Sequence, residues 1–491
     1  MNDLAQMALH GAQTTARHLA RRPSAPLAIV GFVGAGVTVV AGGRIGAAHD
    51  ALPLTRWLGL LAPASYQIEN AIPGTVMLIG IAALVSAWML AVELCRRGRI
   101  GERNLWLVAT AWATPFVIGP PVLSTDAYTS TAHGLLIRAG LDPYRYAPDV
   151  LNKPHVINAI DPSWRGSVST GGPVATFLEH LAVAITGGHP VATVIALRVF
   201  AVFSAVAIGL LAGALGGAVG SRRVTAIGLT AANPAVLLYV VSACHLDGAM
   251  IALLLGALVC ANTNRWTLAV VLACLAAGIK PIAFVAVPAM IAAHAIGQRR
   301  QFAWRIAARD TAVAVATLVA ATLVVNDGIG WLRNVDVITH EHTTFAPASI
   351  VSDLLSAVIP GSSYDDLAVG GRIAALLAAA TAISYLLVTV LERPLERTVG
   401  YALLAIGLLA PVLYPWYLLW GVCCLAPSAT RVRRDWVLAL SALACVLTPA
   451  GLGDRSAEWV TIVAAALLGG GLIARGSVRR RADDALSAAA R

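Results

Sequence analysis

The feature that most constrains this chain is a succession of long apolar runs separated by short connections, most of them carrying arginine. Crossing a lipid hydrocarbon core of about 30 Å takes roughly 20 apolar residues in a helix. Runs of that character occupy 26–43, 72–95, 104–122, 191–219, 223–243, 309–326, 371–391, 398–413, 435–449 and 458–475, with shorter or closely spaced ones at 247–262, 265–280, 281–297 and 415–427. Lipid cannot satisfy open backbone groups, and the alternating pattern of a membrane barrel is absent. The expected fold is therefore an all-α polytopic membrane protein with about 12–14 transmembrane helices, the shortest runs being half-helices shielded by neighbours. Composition agrees: only 12% of the 491 residues are charged, where a soluble domain has about a quarter.

The net charge of +10 does not mark a nucleic-acid binder, because the basic residues form small patches between apolar runs instead of one basic face. With the amino terminus inside and the runs alternating, each short inner connection receives arginine, from Arg96, Arg97 and Arg99 through Arg222 and Arg223 to Arg431, Arg433 and Arg434. The alternation holds if 174–186, which carries Glu179 and His180, lies at the interface or re-enters. The expectation is one integral membrane domain over 1–491 in the plasma membrane, with no cleavable signal. Residues 1–25 and 476–491 are then cytoplasmic, and 124–190 and 327–370 are extracytoplasmic loops, the first with interfacial helices. The seven cysteines make no CxxC pair and read as small core residues.

The outer ends of the runs collect the residues capable of chemistry. Asp126, in L-S-T-D-A-Y, stands just past a span; a carboxylate under a partly apolar loop has a raised pKa and can accept a proton, or it caps the helix that follows. Asp142 and Tyr144 sit in an Asp-Pro turn whose aromatics could also line a sugar or lipid site. His245 and Asp247 mark the turn between two runs, as cap and interfacial donor or as a functional pair. Lys280, one of two lysines with Lys153, ends a run before Pro281 and either snorkels or meets a phosphate. His340 belongs to a His-Glu-His cluster too sparse for a metal site, so no metal and no cofactor are expected. Tyr414 and Trp416 form an outer turn, with anchoring at the interface as the plainer reading, and Arg455 follows Asp454 in the last outer loop. No P-loop, Rossmann fingerprint, GxSxG or HExxH is present.

Several stretches resemble the polyprenyl-phosphate-mannose-dependent α-(1→6)-mannopyranosyltransferases of the actinobacterial envelope, in their mannopyranosyltransferase B-like form. They are P-P-V-L-S-T-D-A-Y at 120–128, R-A-G-L-D-P-Y-R at 138–145, P-S-W-R at 162–165, A-A-N-P-A-V-L-L at 231–238, C-H-L-D-G-A-M at 244–250, Gly278-Ile279-Lys280, Y-P-W-Y-L-L-W at 414–420 and G-D-R at 453–455. The resemblance implies a C-type glycosyltransferase architecture with its active site on the extracytoplasmic (periplasmic) side. It implies a polyprenyl-phosphate-mannose donor and a lipid-anchored mannan acceptor, the linkage inverting to α-1,6 in lipomannan and lipoarabinomannan assembly. Asp126 would be the general base, with Lys280 holding the departing phosphate and His245 assisting. Substrate contacts would extend to Tyr128 and His133 beside the base and to Asp142, Tyr144, Asp247, His340, Tyr414, Trp416 and Arg455. Departures cluster near this site: Ser130 stands where the family has an aromatic, His133 replaces a glutamine, Gly171 replaces an aromatic, and His245-Leu246-Asp247 replaces a His-Asn-acid motif. The competing class is a transporter or flippase for a lipid-linked sugar, disfavoured by polar groups gathered at one face and by the absence of a detectable repeat.

Overall fold

The computed structural model describes residues 23–43, 71–297, 303–325, 329–334, 346–359 and 364–447; among them there are helices and turns but no strand. In chain order the main helices are α1 (Ser24–Gly42), α2 (Ala71–Arg96), α3 (Glu102–Ile118), α4 (Asp126–Arg138), α5 (Pro173–Thr186), α6 (Pro190–Ala218) and α7 (Arg223–Thr230). A π-helical turn, Val236–Ser242, precedes α8 (Asp247–Asn262), α9 (Trp266–Ile279), α10 (Ala286–Gly297) and α11 (Ala303–Val325). The series closes with α12 (Pro347–Val358), α13 (Tyr364–Val388), α14 (Leu395–Leu409), α15 (Tyr417–Leu425) and α16 (Arg431–Val446).

The protein is an all-α, multi-pass membrane protein. Every apolar run from 26–43 to 435–449 falls on a helix, and 458–475 lies outside the described residues. Among the described residues five helices are long and apolar enough to cross alone, or six if the bent pair Val236–Ser242 and Asp247–Asn262 is one broken span. The remaining described runs of the expected 12–14 fall on shorter apolar pieces. Those pieces have local causes: Asn233-Pro234 interrupts 223–243, a 112° bend separates the π-turn from α8, and Pro281 stops α9. The segment read as interfacial, 174–186, is the 14-residue α5, packed against α4 with Glu179 buried.

Helix pairs approach closely where side chains vanish. A Cβ on Gly80 would sit 2.7 Å from the Gly34 carbonyl, so only glycine permits the α1–α2 crossing. Trp112 then donates from Nε1 to the Leu27 carbonyl at 2.9 Å and ties α3 to α1. One large core runs through α1–α3 and α6–α10 to α14–α16, and a second gathers α4, the first turns of α6 and the loop around Val156–Ile160. Outward, α11 and α13 expose Leu323, Val324, Leu377 and Val388, a surface whose solvent is lipid. All seven cysteines are free, and all but Cys260 are buried.

The bundle has two chemically different ends. Arg96, Arg223, Arg265, Arg397 and Arg431 mark helix ends on one side, whereas the opposite ends of the same helices lead to Asp126, His245, Lys280 and Tyr414. The long connection between α4 and α6 is an ordered layer over that second end. Asn334 donates from Nδ2 to the Tyr144 and Ser169 carbonyls at 3.1 and 3.0 Å, and Gly172 N–H bonds the Ile279 carbonyl at 3.0 Å. Gly172 lies so near Gly278 that no side chain fits between them. The layer is thereby fastened to the residue before Lys280.

Candidate active site

Two helices begin with an aspartate, and both aspartates face the same histidine. Asp126 is the first residue of α4 and Asp247 the first of α8, with no side-chain cap bond at either helix start. The capping readings are therefore not realised: Thr125 and Leu246 stand at the cap positions, and both acids turn to distant partners. Asp126 Oδ2 lies 3.0 Å from His245 Nδ1, and Asp247 Oδ2 lies 3.9 Å from the same nitrogen. The other oxygen of Asp247, Oδ1, accepts from Lys280 Nζ at 2.9 Å and from Trp420 Nε1 at 2.5 Å. A buried carboxylate is tolerated when paired and hydrogen-bonded in this way.

Strained backbone aims these groups. Leu123 and Cys244 have φ of 66° and 59°, a region unfavourable to residues with a Cβ. Leu123 turns the chain toward Asp126, and Cys244 sets His245 off the end of the π-turn, where its N–H reaches the Tyr239 carbonyl at 3.1 Å. Both turns are held by Arg198, a nearly fully buried arginine within the apolar α6. Its guanidinium donates to the carbonyls of Val117 and Gly119 at 3.2 and 2.6 Å and to that of Ser242 at 2.8 Å. One cation thus satisfies the carbonyls that end α3 and the π-turn, and fixes the approach to Asp126 and His245 together.

Aromatic rings wall the cluster. His245 lies against Trp416 with centroids 4.1 Å apart, and Tyr414 stacks on Trp416 at 4.6 Å. Tyr417 stacks on Trp420 at 4.1 Å, and Lys280 Nζ sits 4.9 and 5.0 Å from those two ring centroids. The cluster is not sealed: His245 has 2% of its side chain exposed, but Lys280 has 21% and Asp126 44%.

The acidity of Asp126 differs from the sequence expectation. Burial alone would raise it, but the charge and hydrogen bond of His245, the Lys280 ammonium and Ser124 outweigh that push and hold the carboxyl below the ordinary aspartate value. The expected rise considered burial alone, whereas the opposing charges come from distant parts of the chain.

The cluster thus unites six residues singled out in the sequence: Asp126, His245, Asp247, Lys280, Tyr414 and Trp416. Four others are not among these contacts. Tyr128 is buried in the second core. His133 faces Glu179 across the α4–α5 contact, Nδ1 to Oε2 3.4 Å. Asp142 takes the plainer role of a turn residue, accepting the Tyr144 N–H at 2.8 Å and pairing with Arg145 at 3.3 Å. Tyr144 packs on Gly330 with its hydroxyl 3.4 Å from Thr176. His340 and Arg455 lie outside the described residues. Sequence reasoning passed over Arg198, although a lone arginine within an apolar span signals function or packing. It also left out Tyr417 and Trp420, whose i,i+3 spacing puts both on one helix face.

An all-α bundle with a carboxylate–histidine–lysine cluster under an ordered layer at one end defines a class of multi-pass membrane proteins. Comparison with known proteins narrows the class. Residues 28–296 match the family described as alpha-(1->6)-mannopyranosyltransferase, N-terminal domain, and 354–475 match the MptB C-terminal domain. The chain belongs to this mannopyranosyltransferase family. It is similar to alpha-(1->6)-mannopyranosyltransferase A of Mycobacterium tuberculosis, 24% identical over 84% of this chain and 82% of the relative. It is also similar to alpha-(1->6)-mannopyranosyltransferase B of Corynebacterium glutamicum, 25% identical over 83% and 73%. A probable alpha-(1->6)-mannopyranosyltransferase of Mycolicibacterium smegmatis is 26% identical over 78% and 75%.

Proposed function

We propose that this protein transfers mannose from polyprenyl-phosphate-mannose to a lipid-anchored mannan acceptor, forming an α-(1→6) linkage in lipomannan or lipoarabinomannan assembly at the extracytoplasmic side of the plasma membrane. The observation that carries the reading is the contact of half-exposed Asp126 with His245, in a cluster that also holds Lys280.

Asp126 takes the proton of the acceptor hydroxyl as its oxygen bonds to the anomeric carbon of the β-linked mannose. The bond from that carbon to the phosphate oxygen breaks on the opposite face, its electron pair leaving with polyprenyl phosphate, so the configuration inverts. The charges move in concert. When Asp126 becomes neutral the cluster gains one unit of positive charge, at the moment the leaving phosphate gains one unit of negative charge. Lys280 is the cation placed to hold that phosphate, sharing its charge between Asp247 and the ligand. His245 Nε2 and Trp416 Nε1 are buried without a hydrogen-bond partner among the described residues. The aromatic wall suits the face of a pyranose ring.

The test is incubation of the purified protein with polyprenyl-phosphate-mannose and a short α-(1→6)-mannan lipid. An α-linked product from the β-linked donor is expected. Movement of the donor across a vesicle without a new glycosidic bond would instead make the protein a flippase.

A further inference from the structure

The same α9 that presents Lys280 at one end borders a second site at the other, roughly 20 Å away at 1.5 Å per residue. There a cavity of about 400 Å³ is lined by Arg265, Trp266, Thr267 and Leu268 at the start of α9, by His294 near the end of α10 and by Arg309 on α11. None of these residues touches the cluster described above.

The cavity is built around a buried charge. Asp310 is 0% exposed and accepts from Arg309 at 3.0 and 2.7 Å, with His294 Nδ1 2.6 Å away. Trp266 stacks on the His294 ring at 4.8 Å with the planes 7° apart. Arg309 spends Nε and one terminal nitrogen on Asp310; the second terminal nitrogen remains, on a side chain still 54% exposed. With Nδ1–H donated to the Asp310 carboxylate, the neutral His294 ring braces Asp310 beneath the cavity. Asp310 balances one arginine, and among the described residues no carboxylate pairs with Arg265, so the cavity carries surplus positive charge. The α9 N-terminus adds free amide N–H groups, because Arg265 stands at the cap position without a capping side-chain bond. Two guanidinium groups and helix amides form a donor set for phosphate.

The surroundings indicate where that phosphate comes from. Leu268, Ile296 and Trp304 on the adjoining helix ends expose large apolar surfaces, and Arg305 lies over the Trp304 ring at 5.3 Å. Tryptophan and arginine alternating with exposed aliphatics are the pattern of a helix end at headgroup depth. We propose that this cavity binds the phosphate of a membrane-lipid headgroup, Arg265 and Arg309 holding the phosphate while the acyl chains run along Leu268 and Ile296.

Native mass spectrometry of the delipidated full-length protein tests this with three probes: phosphatidylglycerol, diacylglycerol with the same chains, and inorganic phosphate. Phosphatidylglycerol is expected to bind, with diacylglycerol at least about tenfold weaker, the share a charged phosphate contributes. Arg265→Gln should weaken phosphatidylglycerol about fivefold, the equivalent of about 1 kcal/mol for one interfacial arginine. Because loss of Arg309 exposes Asp310 to a lost partner, Arg309→Lys is the second variant; it keeps the charge, removes the fork and should give a smaller loss. Wild-type binding in both variants overturns the proposal. So does equal binding of diacylglycerol, which would make the cavity an apolar groove, or inorganic phosphate binding as tightly as the lipid, which would make it a free-anion site.

Discussion

Helix α4 carries two histidine–carboxylate contacts, about two turns apart, in opposite surroundings. At its first residue Asp126 meets His245 at 3.0 Å; near its middle His133 meets Glu179 at 3.4 Å. The first pair has a carboxylate 44% exposed, a lysine nearby and a wall of indole and phenol rings. The second has both side chains at or below 10% exposure and lies in the α4–α5 contact, where Gly134 is pressed against the α5 backbone at Glu179. The residue types match. Access and a neighbouring cation separate the pair proposed to exchange a proton with a substrate from one enclosed between two helices.

The sharpest way to break that distinction is to disable each pair in turn. Asp126→Asn should lower kcat for mannose transfer about 10²–10⁴-fold, the range for loss of a general base, with the purified protein still monodisperse. His133→Gln should leave kcat within a small factor of wild type; a comparable loss would put both pairs in the reaction. Next in size, Lys280→Gln should reduce kcat/KM for the polyprenyl-phosphate donor about 10–100-fold, the value of a hydrogen bond to a charged group, and spare the acceptor KM. Equal effects on both substrates would remove its phosphate role. Glu179→Ala should act on stability instead, lowering it by about 1–3 kcal/mol because truncating a buried side chain leaves a cavity in the α4–α5 contact; thermal unfolding in detergent reads this, and the folded enzyme should turn over normally.

The smallest effect concerns pH. Asp126 is held below the ordinary aspartate value, so its contribution to stability is complete above the unfolded carboxyl's titration and is lost as pH falls through the folded value. The stability gap between wild type and Asp126→Asn should therefore be widest at neutral pH and close below about pH 4. A bound phosphate brings a like charge that pushes the carboxyl upward. The acid limb of kcat should accordingly lie at higher pH than that of kcat/KM, and coincident limbs would separate Asp126 from the donor phosphate.

Much of the site could be read in the sequence because its members carry local signals. Asp126, His245 with Asp247, and Lys280 are each an ionisable group where an apolar run ends, and lipid makes such placements costly without a purpose. Asp142 carries an equally local signal: Asp-Pro initiates a turn, and the structure closes it with the Tyr144 N–H donating to Asp142 Oδ1. Three things were not legible. The charges acting on Asp126 reach it from other helices, which reversed the expected direction of its acidity. Trp420 acquires its role only because Asp247 lies 2.5 Å from its Nε1. The arginine cavity joins α9, α10 and α11, whose connections look like ordinary topogenic charge when read one at a time.

Apolar length and the spacing of arginines were enough to dictate an all-α membrane bundle, because hydrocarbon leaves the backbone no partner but itself. Which carboxylate remains accessible, which is sealed between helices and which is bound to a lysine depended on helices meeting across long stretches of chain. Solvation is a property each segment carries alone; the electrostatic surroundings of a side chain exist only after the segments have packed.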